Sequence, residues 1–295
     1  MNEDKRPRSG RMAALFPYGV YLLSMLLAGI KGPVVAQISL SSGQIALLRT
    51  FFGGAVLALL VLLLGGFDRE AVRAEARLLL LGAVAIAANW ATVFEAYRLL
   101  NVSLATLIAY VGPMLLLLLS PMLFHEKLTG TKIAAGCIVA VGLVCISGSI
   151  ALGGLSVPGL LVSILSALCY AALIVINKRI AKTPSIQMSA IELSLAALVL
   201  LPYVLFTAGL PHPQRADLPF ILVLVLVNTG LGFGLYSYGL KKLPGQSVAL
   251  LSYVDPVSSL LFSALLLHEK MTPLQLLGAV LIIGGAVLGE LRRRK

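Results

Sequence analysis

RLLNVSLATLIAYVGPMLLLLLSPMLFHEKLT, residues Arg98–Thr129, returns without a gap 143 residues later as KKLPGQSVALLSYVDPVSSLLFSALLLHEKMT, residues Lys241–Thr272. Tyr110, Pro113, His125, Glu126, Lys127 and Thr129 fall on Tyr253, Pro256, His268, Glu269, Lys270 and Thr272. A match of this length makes the chain two related halves, so membrane crossings have to be counted in each half separately.

The composition puts both halves in a bilayer. With 59% hydrophobic and 12% charged residues in 295, and a mean hydropathy of +0.99, there is too little polar surface to cover a water-soluble globule. The formal charge of +11 does not indicate nucleic acid, because the Lys and Arg residues stand in short runs between apolar segments and form no basic face. Cys137, Cys145 and Cys169 are odd in number and lie within apolar stretches, so they read as small packing residues and not as a disulfide framework. The basic N-terminus before an apolar segment resembles a secretion signal, but the segment is about 20 residues long, holds Lys31 and lacks a small-x-small cleavage site, which favours retention as a first span.

Ten apolar windows of spanning length follow: Phe16–Gln37, Ile45–Leu64, Leu78–Tyr97, Ser103–Phe124, Lys132–Ile150, Gly159–Asn177, Met188–Gly209, Leu218–Gly239, Gln246–Leu267 and Leu274–Leu291. They lack the period-two alternation of barrel strands and are about twice too long for them. The expected fold class is therefore all-α integral membrane, ten transmembrane helices as two inverted five-helix repeats, with residues 1–150 as the first half and 151–295 as the second. The inversion follows from five being odd. With the N-terminus inside, the cytoplasmic segments hold 18 of the 23 basic residues and the outer segments only Arg98, Arg215 and Lys270. That asymmetry predicts a multi-pass protein of the cell inner membrane with both termini cytoplasmic.

Pro113 and Pro256 each lie ten residues into spans four and nine, near the bilayer centre. A mid-helix proline frees the carbonyl four residues earlier, at Ala109 and Ser252, which hydrocarbon tolerates only against protein, water or ligand. Paired midplane breaks point to a transport site, with Tyr110 and Tyr253 beside them; the plainer alternative is a pair of packing kinks. Asp255, next to Pro256, is a mid-membrane carboxylate that needs water, a partner cation or a proton, and it fits proton coupling or capture of a substrate amine.

Lys31, Arg49 and Glu95 project to the outer third of the bilayer as a candidate charged cluster, able to receive a substrate carboxylate or to neutralise itself. Glu192 occupies the position equivalent to Arg49 but near the inner end of span seven, so the two are not expected to pair. Asn89, Asn177, Asn228 and Tyr236 are polar groups within or at the ends of spans, suited to lining a cavity or to bonding neighbouring helices. The glycines at 285 and 289 form a small-residue pattern suited to close helix contact, such as one between protomers.

At this point the residues are recognisable. Ten spans in two inverted halves, with the Leu-His-Glu-Lys stretch after span nine, resemble the EamA-type branch of the drug/metabolite transporter superfamily over the whole chain. Each half of that family typically carries a mid-helix Pro and a terminal Glu in its fourth helix, matched by Pro113 with Glu126 and Pro256 with Glu269. Its second-helix Arg and first-helix Lys correspond to Arg49 and Lys31. Family members commonly place Glu before the second proline, where this chain has Asp255. The resemblance implies helices one, three, four, six, eight and nine around a central cavity, helices five and ten at the back or in a dimer contact, and export or exchange of small metabolites, often amino acids.

The functional expectation is a secondary transporter that exports or exchanges amino acids or similar small polar metabolites by alternating access, driven by the substrate gradient or by proton exchange. It works as a monomer or homodimer among membrane lipid, without cofactor, metal or nucleic acid. No G-x-x-x-x-G-K-[ST] loop for ATP use and no H-E-x-x-H zinc pair is present, which disfavours a pump or an intramembrane enzyme. A passive facilitator or channel would use the same helices without coupling.

Overall fold

In the computed structural model the described residues are 8–100, 102–147, 156–268 and 270–291, with the side chains of 8–13, 102, 103 and 291 excepted. The basic tails at 1–7 and 292–295, the Ile150 end of the fifth expected span, the boundary between residues 150 and 151, and Glu269 lie outside them. Among the described residues ten helices are long and apolar enough to cross a membrane. They are α1 (Ala14–Val35), α2 (Ser42–Leu63), α3 (Arg69–Leu99), α4 (Leu104–Phe124), α5 (Gly130–Ser147), α6 (Val157–Arg179), α7 (Ser185–Thr207), α8 (Arg215–Lys242), α9 (Gly245–Leu266) and α10 (Pro273–Glu290). An even number returns the chain to its starting side. We call that side the terminal face and the opposite side the distal face.

Helix starts follow local chemistry. Ser41 accepts from the Gln44 amide while Gln44 answers to the Ser41 amide, a capping box that opens α2, and Asp68 accepts from Ala71 N to open α3. α3 begins nine residues before the expected Leu78, because Arg69–Arg77 continues the helix beyond the apolar window. Hydropathy marks the part in hydrocarbon, not the hydrogen-bonded helix.

Packing obeys the repeat. α5 lies on α10 and α2 on α7, while α3 on α6 is matched by α8 on α1, and α4 on α6 by α9 on α1. Each of these pairings maps onto itself or its mate when the halves are exchanged, as a pseudo-two-fold relation requires. The backbone repeats as well: among the described residues the non-glycine positions at positive φ are His125 and His268, both at 55°, each ending the fourth helix of its half.

α5 and α10 approach so closely that a Cβ on Gly142 would stand 2.7 Å from the Gly278 carbonyl oxygen, and one on Gly278 2.6 Å from the Gly142 oxygen. A Cβ on Gly285 would stand 3.0 Å from Ala135 O, and one on Gly289 would meet Leu250 and Ala135. The small-residue pattern at the C-terminal end of the chain therefore serves a contact inside the protein, between its two halves.

On the terminal face Glu75 of α3 grips the α6–α7 connection, accepting from the amides of Ala181, Lys182 and Thr183 at 2.7, 2.9 and 2.7 Å and from Thr183 Oγ1 at 2.8 Å. Glu75→Ala leaves these donors without their acceptor, Thr183 N among them buried. We expect a loss of about 1–3 kcal/mol, read as a lower thermal midpoint in detergent. An unchanged midpoint would mean that water replaces the carboxylate at no cost.

Candidate functional site

The helix breaks expected from the prolines fall just before them. α4 is interrupted at Tyr110 and α9 at Ser252 and Tyr253, while Pro113 and Pro256 themselves start the outgoing segments. The interrupted stretches meet across the pseudo-two-fold axis. The Tyr110 and Tyr253 rings lie 6.1 Å apart at 34°, and Tyr253 OH donates to the Tyr110 carbonyl at 2.8 Å. At the α4 break the Tyr110 carbonyl is thus satisfied by the other half, while at the α9 break the Ser252 carbonyl accepts from Asp255 N at 3.2 Å within its own half.

Asp255, next in the chain, accepts from Tyr110 OH at 3.1 Å and lies 3.8 Å from Lys31 Nζ. The pair is loose and open: the side chains are 17% and 45% exposed. Exposure falls towards the terminal face. Tyr21 OH and Ser252 Oγ meet at 2.8 Å, Tyr170 OH reaches the same Ser252 Oγ at 3.3 Å, and Tyr236 stacks on Tyr21 with centroids 5.7 Å apart. Tyr21, Ser252, Tyr253 and Tyr236 are all buried. The polar groups are open above this aromatic layer and sealed below it.

Below the layer the terminal side is closed by further bonds. Glu126 at the end of α4 accepts from the Gly245 and Gln246 amides at 2.6 and 3.0 Å, capping the start of α9 with a carboxylate at the positive end of the helix. Gln246 Nε2 also bonds Ser120 Oγ at 2.7 Å.

Arg49 stands beside the site on α2. Its guanidinium donates to Asn228 Oδ1 at 2.7 Å and Thr229 Oγ1 at 3.1 Å, and sits 4.7 Å from the centre of the Trp90 ring. Asn228 and Thr229 belong to a π-helical stretch, Val223–Leu231, whose widened turn presents both side chains to one partner. Asn228 Nδ2 goes on to the Leu27 carbonyl at 2.8 Å.

The structure therefore distributes the expected cluster over three places. Lys31 faces Asp255, Arg49 faces Asn228, Thr229 and Trp90, and Glu95 pairs with its neighbour Arg98, at 2.9 Å to Nε. Among the described residues no ion pair joins Lys31, Arg49 and Glu95, because one turn of α3 already supplies Glu95 with an i,i+3 cation. Tyr110, Pro113, Ser252, Tyr253, Asp255 and Pro256 come together at the crossing of α4 and α9. Asn89 bonds Ser166 O at 2.8 Å between α3 and α6, Tyr236 belongs to the sealing layer, and Asn177 lies apart, buried against Glu192 at 2.9 Å.

Sequence reasoning did not single out Tyr21, Thr229 or the π turn. A tyrosine or threonine inside an apolar run carries no periodic signal of its own, and the π turn has none at all.

The EamA-like transporter family matches residues 15–148 and again residues 157–289. This chain belongs to that family. The EamA-like chain is thus a multi-pass membrane transporter of the drug/metabolite type, with one family unit in each half. It is 28% identical over 68% of its length to 71% of the protein named aromatic amino acid exporter YddG of Ancylobacter novellus. It is 31% identical over 65% of its length to 69% of a probable amino-acid metabolite efflux pump of Escherichia coli, and 24% identical over 70% of its length to 67% of an uncharacterized transporter, YxxF, of Bacillus subtilis. A solved crystal structure superposes with a TM-score of 0.83 over 96% of this EamA-like chain and 99% of its own, at 23% identity, which establishes the common fold.

Proposed function

We propose that this EamA-like protein exports or exchanges amino acids or closely similar small polar metabolites, by alternating access around the crossing of α4 and α9. The observation that carries the reading is a partly exposed carboxylate, Asp255, paired with Lys31 and bonded by Tyr110, with Arg49 on the Trp90 face beside it and within the electrostatic reach of Asp255. A zwitterion needs both signs of charge within reach of one another, and an apolar or aromatic side chain needs the faces. The substrate ammonium displaces Lys31 from its loose pair with Asp255, and the substrate carboxylate turns towards Lys31 and Arg49. The names borne by the relatives in Ancylobacter novellus and Escherichia coli support the same class.

Closure of the distal side must part the layer of Tyr21, Ser252, Tyr170 and Tyr253, since no solute passes it as it stands. Rocking of the two halves about the Pro113 and Pro256 region does this without new backbone costs, because the helices are already interrupted there. The excess of basic residues in the terminal-side segments supports a cytoplasmic terminal side at the inner membrane, and with that orientation the open site faces outwards.

The test is counterflow in proteoliposomes with labelled phenylalanine and tryptophan, and uridine as a control. We expect saturable exchange of the amino acids only. Exchange of uridine alone, or of none of the three, would remove the amino-acid assignment.

A further inference from the structure

Glu192 of α7 and Asn177 of α6 are both fully buried and face one another. Asn177 Nδ2 donates to Glu192 Oε2 at 2.9 Å. The other two oxygens, Glu192 Oε1 and Asn177 Oδ1, have no hydrogen-bond partner, yet both border the same spot above Gly82 of α3, where a Cβ would stand 2.9 Å from Asn177 Oδ1. Two acceptors converging on one enclosed point repel. Turning the amide over only exchanges which carboxylate oxygen lacks a donor. A single proton on Oε1 resolves the contact, because it completes the paired acid–amide ring: N–H to Oε2 on one side, O–H to Oδ1 on the other. The absent side chain of Gly82 leaves the room this ring occupies.

No cation takes the place of that proton. Among the described residues no ion pair involves Glu192. The titratable groups near it are Lys241 and Tyr236 of α8. Lys241 Nζ is already committed to the Thr183 carbonyl and lies in the field of Glu75. From α3 Gly82 borders the pair, and α6 supplies Asn177.

We infer that Glu192 is a proton-carrying site, neutral in the outward-open form, and that it releases its proton to the terminal side when that half opens. In the repeat Glu192 stands where Arg49 stands. One position thus places an anion-binding cation beside the distal site and a protonated acid in the sealed half. Opening the terminal side parts α6 from α7, admits water to Oε1, and leaves the carboxylate beside Lys241. The proton passes from Oε1 to water on the terminal side, and a proton from the same solution restores the ring on closure, so opening of that half depends on terminal-side pH and no proton crosses the membrane. The coupling rests on the transporter reading above; the protonated state of Glu192 does not.

Glu192→Gln keeps the ring, since its amide donates to Asn177 Oδ1 and accepts from Nδ2, but carries no exchangeable acid. Infrared difference spectra of the whole protein in liposomes, at neutral pH, should contain a protonated-carboxyl stretch that is lost in Glu192→Gln while the thermal midpoint stays the same. A spectrum identical in both proteins overturns the protonated state, whatever the transport result. In proteoliposomes Glu192→Gln should retain phenylalanine counterflow and lose the dependence of its rate on terminal-side pH that wild type shows. A pH dependence equal to wild type overturns the coupling. If phenylalanine gives no counterflow even with wild type, the substrate assignment falls and the infrared comparison alone decides the site.

Discussion

Asp255→Asn is expected to abolish amino-acid exchange in proteoliposomes while the protein still folds and purifies. The carboxylate is the one mid-membrane anion in the open site, and an uncharged amide cannot neutralise a substrate ammonium. The fold tolerates the change for a local reason. Its ion pair with Lys31 is long, at 3.8 Å, and Lys31 is nearly half exposed, so loss of the pair costs below about 1 kcal/mol. Tyr110 OH still finds an acceptor in the Asn oxygen. Asp255→Glu is the companion variant: it keeps the charge and extends it by one methylene, and exchange should survive with altered affinity. Full exchange in Asp255→Asn would show that the carboxylate is structural and would move the substrate site elsewhere.

Gly142→Leu should prevent recovery of folded protein, whereas Gly284→Leu should be silent. At Gly142 the first added atom already stands 2.7 Å from a backbone oxygen and 2.9 Å from Ile282 Cγ1, and neither can yield without separating α5 from α10. Even a methyl group there overpacks, at about 1–3 kcal/mol, and Leu adds three more carbons. Gly284 is the control because nothing lies within 4 Å of its Cβ position. The readout is monodispersity and thermal midpoint after purification in detergent. The reverse result, with Gly284→Leu disruptive and Gly142→Leu tolerated, would place the glycine seam between protomers instead of within one.

Much of this architecture was legible because hydrocarbon imposes it. A 20-residue apolar window has few alternatives to a helix in lipid, and the 143-residue repeat fixed an odd number of spans per half, hence their antiparallel relation. The two interruptions could be read too. A proline removes a donor wherever it stands, and Tyr110, Ser252 and Tyr253 are where α4 and α9 break.

The side-chain partners could not be read. Lys31, Arg49 and Glu95 share a depth, and depth is all that a span assignment provides. Which of them meet depends on rotation about each helix axis, and packing of the neighbouring helices sets that rotation. Tertiary structure gave Lys31 to Asp255, turned Arg49 to the π segment of α8, and left Glu95 with Arg98. It also set Asn177 against Glu192, two residues that belong to different helices and carry no pattern linking them. The sequence by itself determined how many helices cross, in which sense they run and where two of them break, because bilayer thickness and backbone hydrogen bonding leave little choice. Only the tertiary structure decided which charges are paired and which acid is left needing a proton, because those outcomes depend on contacts a few ångströms wide between helices far apart in the chain.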